Sequence, residues 1–66
     1  MVKGKKIKEL IEKNGISMRV LAAKVGVSEA MISYIVNGLK EPSVTVLARI
    51  AKELGCPVAD LIEEAK

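Results

Sequence analysis

No histidine, phenylalanine or tryptophan occurs in these 66 residues, and tyrosine (Tyr34) and cysteine (Cys56) occur once each. Without histidine the usual general base and metal ligand is missing, and no Cys–His or Ser–His pair can be assembled. There is also no glycine-rich phosphate loop and no cluster of carboxylates on one helix face, so an enzyme is not expected. A lone cysteine excludes an intrachain disulfide and, with no second soft ligand near it, a metal site; no cofactor is expected. Cys56, just before Pro57, reads as an inert, partly buried small residue. No apolar run approaches the roughly 18–20 residues of a membrane span. The basic N-terminus is not followed by the apolar stretch of a secretion signal, and the expected location is the cytoplasm.

What is present points to helices. Apolar residues make up 50% of the chain, so with a single aromatic the core has to be built from Leu, Ile, Val and Ala. A chain of this length has room for one core, and residues 1–66 read as one domain with no separate unit for a small-molecule ligand. The net charge is +3 and unevenly placed: residues 1–33 carry seven bases and three acids, residues 34–66 four bases and five acids. A basic half beside a near-neutral half suits a protein with one nucleic-acid face.

Periodicity divides the chain into five short helices with no strand pattern. From about Lys3 to Lys13, Ile7, Leu10 and Ile11 form one stripe, closed by Asn14-Gly15, both of which tolerate a left-handed conformation. Ser17 is placed to cap a second helix whose stripe is Leu21, Ala22 and Val25 and whose end is Gly26. Ser28 caps a third, from about Glu29 to Val36, with Ile32 and Ile35 inward and Asn37-Gly38 as terminator. After a loop ending at Pro42, Ser43 caps a fourth with Val44, Leu47, Ile50, Ala51 and Leu54 on its stripe. Pro57 opens the last, with Val58, Leu61 and Ile62 inward.

Two short helices joined by a tight turn containing glycine form a helix-turn-helix. Ala22 is small enough for the two helices to approach where they cross, Gly26 permits the turn, and Val27 plugs the angle between them. Ile32 and Ile35 anchor the third helix from behind, which leaves its opposite face free for a major groove about 12 Å wide.

Over residues 5–62 the ordered set Leu21-Ala22, Gly26-Val27-Ser28, Ile32-Ser33, Asn37-Gly38, Pro42-Ser43, Leu47, Ile50-Ala51, Leu54-Gly55 and Asp60-Leu61 resembles the lambda-repressor-like, or Xre-type, helix-turn-helix transcriptional regulators. The resemblance implies an all-α fold of five short helices, with helices 2 and 3 as the helix-turn-helix. It implies base reading by Glu29, Ala30, Met31, Ser33 and Tyr34. It implies phosphate contacts from Ser17, Met18, Asn37 and Lys40, where helix-terminal amides and lysines favour phosphate oxygens. Three positions depart from the family pattern: Met18 stands where Gln is common, Glu29 where Gln, Arg or Lys is common, and Val36 where Glu is common.

The expected function is therefore a sequence-specific regulator, a repressor, that binds double-stranded DNA as a homodimer. Val36, Val46 and Val58, apolar beyond the needs of a small core, are the residues expected at the subunit interface. A competing reading takes the apolar outer face (Met18, Ala30, Met31, Tyr34) as the mark of a protein-interaction module, antitoxin-like or an engineered scaffold, on the same fold.

Overall fold

The computed structural model describes residues 2–63. Among the described residues four α-helices succeed one another, α1 (Gly4–Lys13), α2 (Met18–Val25), α3 (Glu29–Val36) and α4 (Val44–Leu54), and a 3-10 turn (Val58–Leu61) follows them. The fifth helix read from the sequence is thus one tight turn, because only four residues separate Pro57 from the extended residue Ile62.

Three of the four helices start in the same way. Ser17, Ser28 and Ser43 are extended, and their hydroxyl oxygens accept the amide hydrogens of Val20, Met31 and Val46 at 3.1, 3.1 and 3.2 Å. Each such cap satisfies one free amide of the first turn and contributes on the order of 1 kcal/mol. The ends use two devices. Helix α2 stops at Gly26, whose φ of 86° is open to glycine at little cost. At Asn14-Gly15 and Asn37-Gly38 only the glycine is left-handed. The asparagines stay right-handed and act through their side chains, Asn14 Nδ2 donating to Leu10 O at 2.7 Å and Asn37 Nδ2 to Ser33 O at 2.9 Å.

The core is aliphatic, and among the described residues no polar or charged side chain is buried in it. Ile7 and Ile11 come from α1, Leu21, Ala22 and Val25 from α2, and Ile32, Ile35 and Val36 from α3. Leu47, Ile50, Ala51 and Leu54 come from α4, with Leu61 and Val2 beneath. Helix α2 packs on both α3 and α4, and the half-buried Val27 fills the angle at the turn.

Several inward assignments change. Val44 is 84% exposed because it is the first residue of α4, ahead of the packed part of the stripe. Ile62 remains 37% exposed, and Leu10 and Val58 are half-buried at the margin. Val36 belongs to the core, not to a spare surface, since α1 covers it; Val46 and Val58 also pack against the core. Val36 is therefore not free for a subunit interface, whereas Val46 and Val58 keep part of their surface exposed.

Helix α1 is held differently from the rest. Its N-cap is Lys3, with no side-chain cap, and its first turn contains no acid. Lysines there oppose the helix dipole. Tertiary contacts supply what the sequence omits. Val2 pairs with Ile62 in an antiparallel bridge, the Lys3 amide donates to Leu61 O at 2.7 Å, and the Val2 amide donates to Glu41 Oε1 at 2.9 Å. Gly4 lies directly against the end of α3, so that a Cβ added there would meet Ile35 O at 2.8 Å and Val36 O closer still.

Gly4 is thus required by space. Alanine is the better helix former by about 1 kcal/mol, yet overpacking against backbone costs about 1–3 kcal/mol. Gly4→Ala is expected to lower the melting temperature by several degrees, read by thermal denaturation monitored by circular dichroism; a rise would show that propensity wins over the close contact.

Candidate nucleic-acid interface

With Ile32, Ile35 and Val36 turned into the core, helical geometry puts Ala30, Tyr34 and Asn37 at the centre of the outward face of α3. Ser33 lies on one flank and Met31 on the other, both half-buried, and Glu29 is exposed at the first position. Of the residues read from the sequence as base-reading, Ala30, Ser33 and Tyr34 thus lie on the outward side of α3, Met31 lies at its margin, and Glu29 is exposed because it opens the helix. Ala30 and Tyr34 are open, Met31 packs in part against the core, and Ser33 Oγ is 3.4 Å from Asn37 Nδ2.

The residues assigned to phosphates sit at helix ends. Ser17 Oγ is occupied as an acceptor at the start of α2, and its own hydroxyl hydrogen remains available to an anion. Among the described residues no acceptor is paired with the amides of Met18 and Arg19, which leaves two donors in the first turn of α2. Met18 itself is half-buried and packs on the core, so its side chain offers no donor, whereas its backbone does. The Asn37 side-chain amide is engaged with Ser33, its Nδ2 donating to Ser33 O at 2.9 Å and to Ser33 Oγ at 3.4 Å.

Lys40 is less free than a loop lysine read in isolation. The amides of Leu39 and Lys40 both donate to Tyr34 O, at 2.8 and 3.3 Å, which folds the loop back on the end of α3. The ammonium then stands 5.4 Å from the centre of the Tyr34 ring. A cation over an exposed aromatic face is worth about 0.5–1 kcal/mol. The pair biases a positive charge toward the outward face of α3. Sequence spacing carries no signal for it beyond the Asn-Gly turn between the two residues.

Other groups are turned to different uses. Lys24 faces Glu53 of α4 at 3.8 Å, and Arg49 Nη1 donates to Val25 O at 3.3 Å. Neither contact is apparent from the sequence, because the residues involved are far apart in the chain. Cys56 is half-buried and free. Burial pushes its thiol up, the nearby Asp60 carboxylate adds to this, and Lys6 opposes it, so it is a poor nucleophile at neutral pH.

Comparison with known proteins agrees with this geometry. An uncharacterized HTH-type transcriptional regulator of Mycobacterium tuberculosis is 49% identical over 39 residues, covering 59% of this chain and 28% of that protein. The clp gene regulator ClgR of Corynebacterium glutamicum superposes with a TM-score of 0.82 at 33% identity, covering 86% of this chain and 61% of that one. The DNA-binding domain of the P22 c2 repressor superposes with a TM-score of 0.84 at 27% identity, covering 98% of this chain and 92% of that one. The chain thus spans less than a third of the curated relative it matches and under two thirds of ClgR. A helix-turn-helix family model matches residues 7–61. On that match, and on the capped helix pair it encloses, the chain belongs to the lambda-repressor-like, Xre-type helix-turn-helix family.

Proposed function

We propose that this chain is a sequence-specific transcriptional regulator of the repressor kind that binds double-stranded DNA as a homodimer, with α3 in the major groove. One observation carries the reading: α3 gives its apolar side wholly to the core and leaves an outward face beside which Lys40 is held by Tyr34. The names of the similar proteins, a transcriptional regulator, a gene regulator and a repressor DNA-binding domain, support the same reading.

In this reading the phosphate contacts are made by Lys40, Asn37, the Ser17 hydroxyl and the Met18 amide. These fix register and carry most of the salt-sensitive affinity. Base edges are met by Glu29, Ala30, Met31, Ser33 and Tyr34. The Glu29 carboxylate can accept from cytosine N4, and Ala30 and Met31 can touch a thymine methyl. Two copies would present their α3 helices about 34 Å apart, on successive turns of one DNA face.

The same outward face favours a second reading, a protein-interaction module. Ala30 and Tyr34 are exposed with Met31 beside them, a surface poor in hydrogen-bond donors. Salt dependence separates the two, since each phosphate neutralised contributes about 0.9 to the slope of log affinity against log salt.

Selection from a random duplex library, with salt titration of the selected site, is expected to give one preferred, twofold-symmetric site and a steep slope. A flat response, or no binding at low salt, would defeat the DNA reading in favour of the protein partner. Lys40→Ala should weaken binding to every duplex alike and reduce the slope by about one, whereas Glu29→Ala should change the preference at one or two base pairs. If both changes act equally on all sequences, the roles given to these two residues are wrong.

A further inference from the structure

A helix leaves its last carbonyls without internal donors, and Val25 O at the end of α2 is one of them. Among the described residues no backbone amide reaches it: the chain turns away at Gly26, the amides of Gly26 and Val27 closing on Ala22 O at 2.8 and 3.0 Å, and the amide four residues on belongs to α3. Its donor comes from α4 instead: Arg49 Nη1, at 3.3 Å, from a residue 24 positions along the chain. The same nitrogen lies 3.6 Å from where a Cβ on Gly26 would stand, so the guanidinium rests against the turn of the helix-turn-helix itself. Four residues further along α4, Glu53 faces Lys24, also in the last turn of α2, at 3.8 Å.

The two contacts differ in weight. Lys24 and Glu53 retain 54% and 31% of their side-chain exposure, and such surface pairs contribute little. Arg49 combines a charge-assisted hydrogen bond with a cation at a helix C-terminus, both favourable, in a partly buried contact.

We propose that Arg49 is a positioning residue for the DNA-reading helix: by gripping Val25 O from behind, it fixes the turn at Gly26 and with it the direction in which α3 leaves. The proposal rests on the DNA-binding reading above. Only Gly26, Val27 and Ser28 separate the gripped carbonyl from the first residue of α3, so a rotation at the turn is passed on undamped. Over an eight-residue helix about 12 Å long, a tilt of about 10° moves the far end by about 2 Å, more than base recognition tolerates. Attraction to phosphate oxygens is long-ranged and survives such a tilt. Loss of Arg49 therefore acts on discrimination between sequences and leaves non-specific binding in place.

The test uses Arg49→Met, which keeps the aliphatic stem, and Arg49→Lys, which keeps the charge and a donor. Affinity for the selected site and for an unrelated duplex is measured across a salt series. Amide hydrogen exchange is measured in the DNA-free protein. Arg49→Met is expected to weaken the selected site about tenfold, the size of one charged hydrogen bond, with the unrelated duplex and the salt slope unchanged. Its Gly26 and Val27 amides should exchange faster relative to those of α1, and Arg49→Lys should recover much of the loss. Equal loss on both duplexes with a slope lower by about one would make Arg49 a phosphate contact instead. A lower melting temperature with the ratio of the two affinities unchanged would reduce it to a stabilising residue. Either result overturns the proposal, as does unchanged affinity for both duplexes. If the parent chain binds no DNA at low salt, the regulator reading falls by itself. The exchange measurement then decides the brace alone: faster exchange at Gly26 and Val27 in Arg49→Met supports it, and unchanged exchange overturns it.

Discussion

At Gly26 the chain leaves α2 with a φ of 86°, and the amide of Val27 turns back to Ala22 O at 3.0 Å. Ser28 then begins to cap α3. The geometry of this short corner governs most of the molecule. It sets the crossing of α2 and α3 at the small, buried Ala22, and it puts Val27 into the angle between them. It also determines which side of α3 is spent on the core. The remaining elements act as supports for that corner: α4 from behind through Leu47, Ile50, Ala51 and Leu54, and α1 from the far end of α3 through Gly4.

The core behind the corner is small and purely aliphatic, with no polar group among the described residues to fix its register. Uniqueness then has to come from the helix ends. Three serine caps, two asparagine side chains folded back on carbonyls, and the left-handed glycines mark where each helix begins and stops. Helix α1 is the exception. It opens with lysines where a helix prefers acids, and it persists because Ile7 and Ile11 are buried and Val2, just before it, is paired with Ile62. Ile7 and Ile11 each contribute about 1.5–3 kcal/mol on burial, enough to outweigh an unfavourable first turn.

Charge is divided between structure and surface. Arg49, Lys24 and Glu41 are drawn into contacts that tie one element to another, whereas Lys40 is held beside α3 by an aromatic ring. The charges that these contacts tie down are few and individually placed. The hydrogen-bonding groups on the outward face of α3 are few: the hydroxyls of Ser33 and Tyr34, the Asn37 amide and the Glu29 carboxylate. For a DNA reader this shifts the weight toward orientation: with few base contacts available, each must arrive in the right place. A brace behind the turn has its greatest effect in such a case.

Local pattern alone was enough for the helices, the turn and the family. Its signals are a serine before an apolar stripe, a glycine after it, and a spacing of three or four between buried residues, all of which act over one or two turns. The resemblance singled out Glu29, Ala30, Met31, Ser33 and Tyr34, and the phase that turns Ile32 and Ile35 inward turns Ala30, Ser33 and Tyr34 outward, while Glu29 is exposed because it opens the helix. Packing between helices settled the fate of residues whose neighbours are distant in the chain. Val36 is covered because α1 happens to cross it, Val44 is open because α4 begins one turn before its contacts, and Gly4 is needed because two backbones meet there. Lys40 over Tyr34 and Arg49 on Val25 O belong to the same group. A long side chain can reach in many directions, and which partner it meets depends on how whole helices pack, a choice that no short-range pattern encodes.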